Sequence, residues 1–251
     1  MGHRRSLLVT GLFVAVASVS AFVAAHPRHD KRHDDAERAA IVADVKRQLA
    51  AEMGLVPVRL LRDRRASFVE LYSYDRSGAS HYGTAGYLGD GYFITVKHAV
   101  VGLGPAAAPI TSVRVVYKGH EIPARIVDTG DARNEVQRGD WAIINTTPLD
   151  LPALTVDTHF AFEFAAPIVR LGNDYSKGVL VSSGYVGQRT GGGLVTGLLD
   201  GHPGVSGGGV LSQNGDLVGI PVGRMDGDYR FSFLLPVRDE MFRKVPKTSL
   251  D

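Results

Sequence analysis

From residue 67 onward the chain alternates short apolar runs with glycine-bearing breaks. Ser67–Tyr74 alternates loosely, and Gly83–Leu88 and Gly91–Val96 flank Gly89-Asp90, a two-residue break that predicts a hairpin turn. Val113–Tyr117, Ile122–Val127 and Trp141–Asn145 continue the series. A second series follows: Ile168–Leu171, Val179–Tyr185, Leu194–Leu198, Val210–Leu211, Leu217–Val222 and Tyr229–Leu235. Many short strands joined by glycine-rich turns predict an all-β sandwich or barrel. Ahead of them the period changes. Ile41, Val45 and Leu49 recur at helical spacing within residues 36–53, which predicts one amphipathic helix. Packing on the body is the expectation for that helix; association between copies and a membrane surface stay open. Pro236–Lys244 predicts a closing helix.

The N-terminus is of another kind. Arg4 and Arg5 precede an apolar run from Leu7 to Ala25 that ends in the small residues Val23-Ala24-Ala25. This is the pattern of a secretory signal cleaved near Ala25, with a retained membrane anchor as the alternative. Either reading places the remainder outside the cytoplasm: secreted or periplasmic, or tethered by residues 7–25. Residues 26–37 are charged and predict a solvated linker; His26, His29 and His33 lie in it without the fixed partners a metal site needs. The expected organisation is a signal or anchor (1–25), a linker and helix (26–65) and a β-rich domain (66–251), divided near residue 158.

Composition narrows the function. Apolar residues make up 44% and charged residues 22% of the 251, ordinary for a chain that builds a core. Residues 1–25 carry two arginines and no acid, so without them the formal charge falls from +2 to 0. No nucleic-acid partner is expected. There is no cysteine, hence neither a disulfide nor a thiolate metal site. No metal or other cofactor is expected.

The chemistry centres on Gly204-Val205-Ser206-Gly207-Gly208. Glycines on both sides of a serine permit a sharp turn and close approach of a substrate carbonyl, whose oxyanion the N–H groups of Gly204 and Ser206 would hold. A serine needs a base, and His98 ends an apolar strand at Ile94-Thr95-Val96-Lys97-His98. Asp140 opens another at Asp140-Trp141-Ala142-Ile143-Ile144, ahead of Asp128 and Asp131, neither of which leads directly into an apolar strand. The order is His, Asp, Ser. An α/β-hydrolase elbow needs its histidine after the serine, and His202 is the last in this chain. The subtilisin order puts Asp first; the order here is that of chymotrypsin.

These three blocks resemble those of trypsin-like serine proteases, most closely the cysteine-free bacterial HtrA-like branch, over about Ser67 to Val237. No PDZ-type domain is found. The resemblance implies two six-stranded antiparallel β-barrels with a site in the cleft between them: His98 and Asp140 from the first, Ser206 from the second. It further implies that Asp200, six residues before Ser206, lies at the floor of the pocket for the residue preceding the cut and selects Lys or Arg, with a water-facing turn residue as the alternative. The segment Gly219–Arg224, with Gly219 and Val222 as binding residues, would take the substrate backbone as an added strand.

The chain departs from the family pattern in two places. Val205 stands where trypsins have an aspartate that pairs with a new N-terminus, so either packing preforms the loop or another trigger is needed. Gly209 stands where proline is common. The expected function is an exported serine endopeptidase acting on protein or peptide substrates through an acyl-enzyme on Ser206, with His98 as base and Asp140 orienting it. The alternative is a catalytically weak or latent binding and regulatory protein of the same fold. A membrane tether and a homo-oligomer stay open.

Overall fold

The computed structural model describes residues 31–247 except 79, 105 and 106. The expected signal or anchor and the start of the linker lie outside the described residues. Helix α1 spans Lys31–Glu52. Its apolar residues Ile41, Val45 and Leu49 are exposed. None of the described helices is long and apolar enough to cross a membrane. A second helix, α2 (Val58–Arg65), was not expected. It begins after Pro57, and Arg62, Arg64 and Arg65 crowd its last turn, where cations favour the exposed carbonyls.

Twelve strands follow, one for each apolar run of the sequence. β1 (Phe68–Asp75), β2 (Ser80–Gly89), β3 (Tyr92–Thr95), β4 (Ile110–Tyr117), β5 (His120–Thr129) and β6 (Ala142–Asn145) form a closed antiparallel barrel in the order β1-β2-β3-β6-β5-β4. β7 (Pro167–Asn173), β8 (Val179–Arg189), β9 (Val195–Leu198), β10 (Gly209–Leu211), β11 (Leu217–Met225) and β12 (Asp228–Pro236) close a second barrel in the matching order β7-β8-β9-β12-β11-β10. The β2–β3 hairpin turns on Asp90 and Gly91, one residue later than expected. Their φ values of 48° and 82° are the pair of positive angles that a type I′ turn requires.

Phe93, Ile94, Ile143 and Ile144 fill the first barrel and Val195, Val210, Val218 and Leu234 the second, all fully buried. The connection between barrels is tied near its middle to both of them: Leu154 N–H donates to Tyr87 O of β2 at 2.9 Å and Leu217 N–H of β11 to Thr155 O at 2.8 Å. Gly209 has its own reason for being glycine, since a Cβ there would lie 2.2 Å from the Phe68 ring. The expected closing helix is a correction. Pro236 ends β12, Arg238 is extended, and only a short 3-10 turn forms at Asp239–Phe242, with Met241 and Phe242 both buried.

Candidate active site

Register brings two of the expected residues together. β3 and β6 pair with Thr95 opposite Ala142. The chain then turns just past Thr95, with Val101 N–H on Lys97 O at 2.8 Å, so His98 lands at the end of the ladder that Asp140 precedes. Asp140 Oδ2 lies 2.7 Å from His98 Nδ1, and Oδ1 accepts the His98 backbone N–H at 2.9 Å. The Asp140 side chain is 0% exposed and that of His98 14%. A carboxylate only accepts, so Nδ1 carries the proton and Nε2 keeps its lone pair. Burial pushes the His98 pKa down, but the hydrogen bond and charge of Asp140, aided by the charge of Glu135, outweigh it and leave the pKa above its ordinary value. Asp128, the other acid considered, instead pairs with Lys244 at 2.9 Å.

Asp140 is held in turn by the tight loop before it. Its N–H donates to Gln137 O at 3.0 Å, and Ala132 N–H to Gly139 O at 3.3 Å. Lys97 Nζ, beside His98, donates to Gly130 O and Ala132 O, each at 2.8 Å. Val136 crosses this loop with φ of 58°, rare for a β-branched residue, and its Cγ2 fills the space a Cβ on Gly223 would take.

Ser206 comes from the second barrel and is fastened to the first. Its carbonyl accepts Thr84 N–H at 2.9 Å, and Gly207 packs where a Cβ would meet Thr95 Oγ1 and Val96 N, on the strand leading to His98. The Ser206 hydroxyl has no hydrogen-bond partner among the described residues.

The two N–H groups expected to hold an oxyanion are oriented by their neighbours. His202-Pro203-Gly204-Val205 forms a turn closed by Val205 N–H on His202 O at 3.2 Å. Gly204, at φ of 97°, supplies the positive angle such a turn needs after proline. Pro203 O accepts Tyr175 N–H at 2.8 Å, which points that carbonyl away and the Gly204 N–H of the same trans peptide the other way. Neither Gly204 N–H nor Ser206 N–H donates to another described residue.

Residues that sequence reasoning missed set this turn. Tyr175 sits in the 3-10 turn Asp174–Ser176, anchored by Arg170, which is 1% exposed and grips Asp174 through two bonds of 2.8 and 3.2 Å. Thr84 Oγ1 donates to Gly204 O and accepts Asn173 N–H, both at 2.8 Å. Val205 is 4% exposed against Gly172, whose Cβ would lie 2.8 Å from Val205 Cγ2. An apolar contact thus occupies the position where trypsins have an aspartate. Nothing in the local pattern links residues 84, 170 and 174 to Ser206; only barrel closure does.

Two expectations about substrate contacts are revised and a third is kept in part. Asp200 is exposed, not a buried floor: alternation along the end of β9 turns Leu199 in and Asp200 out, and its N–H lies 3.3 Å from Ser182 Oγ. Gly219 offers no edge, being paired to Val210 on one side and Pro236 on the other. Val222 is fully buried by its side chain but falls in the part of β11 beyond its pairing with β10. Among the described residues no cluster of three or more His, Asp or Glu side chains is placed to hold a metal ion.

Comparison with known proteins agrees with the two-barrel fold. The family model of the trypsin-like peptidase domain matches residues 83–220. No curated protein matches the sequence. Among solved structures, the chain resembles the Rv3671c protease from M. tuberculosis in its active form, at 21% identity and a TM-score of 0.60, covering 71% of this chain and 79% of that one. It also resembles a serine endoprotease from Yersinia pestis, at 20% identity and a TM-score of 0.60, over 78% and 68% of the two chains. The HtrA-type protease AlgW with a tripeptide matches at 20% identity and a TM-score of 0.60, over 76% of this chain and 62% of that one.

Proposed function

The chain belongs to the trypsin-like peptidase domain family, and we propose that it is an exported serine endopeptidase that cleaves peptide bonds through an acyl-enzyme on Ser206. The observation that carries this reading is the buried Asp140 gripping His98 at both Nδ1 and the backbone N–H. That grip leaves Nε2 free to take the Ser206 proton as the oxygen attacks the substrate carbonyl, and Asp140 stabilises the imidazolium that forms. His98 then returns the proton to the leaving amine, and water repeats the sequence to release the acyl group. The N–H groups of Gly204 and Ser206 receive the oxyanion. The outward Pro203 carbonyl and the buried Val205 support a hole preformed by packing, against the alternative of a latent binding protein. Export rests on the basic and apolar pattern of residues 1–25.

The raised His98 pKa gives a test with a definite sign. The base must be neutral, so kcat/KM for peptide hydrolysis is expected to rise with pH along an acid limb centred above the ordinary histidine value of about 6.5. Stability runs the other way. The His98–Asp140 ion pair contributes fully below the unfolded histidine pKa and is lost as pH rises through the higher folded one. A pH–rate profile with no acid limb, or with one below the ordinary value, contradicts the assignment of His98 as base.

A further inference from the structure

Beyond Gly219, β11 leaves β10 and runs on paired to β12 alone. Pro221 O, at the start of this free edge, accepts Gly207 N–H at 3.1 Å, so the edge begins beside Ser206. Three residues further on, Arg224 turns back toward the loop that leads into the serine. Its Nη1 donates to Gly201 O at 3.2 Å, and its guanidinium carbon lies 4.1 Å from the centre of the Tyr229 ring. Tyr229 is fixed there, with its carbonyl accepting Gly201 N–H at 2.6 Å and its ring stacked on His202 at 5.4 Å. The guanidinium therefore stands between the free edge and the Gly201–Gly204 loop. A substrate lying along that edge, with its carbonyl at Gly204 and Ser206, directs the side chain preceding the cut into this space.

The charge of Arg224 is uncompensated. It forms no ion pair among the described residues. Asp228 is taken by Arg230, accepting its N–H at 2.9 Å, and Asp226 and Asp200 are exposed. Arg224 itself is half-buried, and an arginine has five N–H donors, of which one is engaged by a protein acceptor here. A partly desolvated guanidinium held in place by a carbonyl and an aromatic face, with donors to spare, is suited to bind a carboxylate. We propose that Arg224 is the specificity-determining residue of this site and selects substrates with Glu or Asp immediately before the cleaved bond. This rests on the serine-peptidase reading above.

The test is hydrolysis by the full-length protein of peptides identical except for Glu, Gln, Ala, Val or Lys before the cut, with fluorophosphonate labelling of Ser206 on the same preparation. Glu is expected to exceed its neutral isostere Gln in kcat/KM by roughly ten- to a hundredfold, the range of a charge-assisted hydrogen bond. In Arg224→Ala the Glu-to-Gln ratio falls to near one; in Arg224→Lys, which keeps the charge but loses the fork, part of it survives. Labelled wild-type protein that cleaves Gln or Ala as well as Glu overturns the proposal. So does a Glu preference that persists in Arg224→Ala, or a gain of bulky neutral residues in that variant, which marks Arg224 as a steric plug. Protein that neither labels nor cleaves any of the peptides overturns the peptidase reading, and the specificity with it.

Discussion

Asp140→Asn is expected to lower kcat by about 10⁴-fold, the loss this substitution causes in serine proteases built on the same three residues. The reason is local. Asp140 accepts two hydrogen bonds from His98, one at each oxygen, and its own side chain has no exposed surface. An asparagine turns one of those acceptors into a donor. If it keeps the bond to the backbone N–H, its NH₂ faces Nδ1 and drives the imidazole proton to Nε2, where the lone pair is needed. The folded state is expected to persist, since the amide fits the volume of the carboxylate. The variant should also lose most of the upward displacement of the acid limb, because the charge of Asp140 and its hydrogen bond to the imidazolium disappear, leaving burial opposed only by the charge of Glu135. Steady-state kinetics across pH, with circular dichroism as a check on folding, measures both effects. A kcat within tenfold of wild type contradicts the role given to Asp140.

The second large effect is expected at Gly204. An alanine Cβ there would lie 2.2 Å from Asn173 O and 2.7 Å from the Tyr82 ring, on a residue whose φ is 97°. The backbone must shift, and with it the N–H proposed to receive the oxyanion. Loss of one such donor lowers kcat by about 10² to 10³-fold, while KM changes far less because the ground-state carbonyl leans on it weakly. A stability loss of about 1–3 kcal/mol accompanies it from backbone strain. Gly119→Ala separates the causes. Gly119 has φ of 79° but open space around it, so alanine there brings strain without a clash and should leave kcat unchanged. A Gly204→Ala protein with wild-type kcat contradicts the oxyanion assignment.

The legibility of this chain follows from how far each feature reaches along the sequence. The strands were legible because alternation and turn chemistry act over a few residues. The Gly89-Asp90 break marks its hairpin to within one residue, and the apolar runs mark all twelve strands to within a few positions. His98, Asp140 and Ser206 were legible as candidates because each sits where a strand begins or ends beside glycine or a charged residue, and β3–β6 register then places two of them together. The supports of the site were not legible. Thr84 in β2, Arg170 in β7 and Tyr175 in a short turn come together at Gly204 only when both barrels close. Asp200 stayed open between a pocket floor and a water-facing turn for the opposite reason: its offset from Ser206 carries no information on the alternation past β9, which sends that side chain outward. The closing helix was misjudged because Met241, Phe242 and Val245 suit one buried turn as well as a helical face.

The central claim is that Ser206 is an activated nucleophile in the protein as folded. Fluorophosphonate labelling of the full-length chain, read by intact mass beside Ser206→Ala, tests it most directly. A single adduct that maps to Ser206 is expected on the wild type, and none on the alanine variant. Wild-type protein that is well folded yet stays unlabelled, or an alanine variant that labels equally, contradicts it.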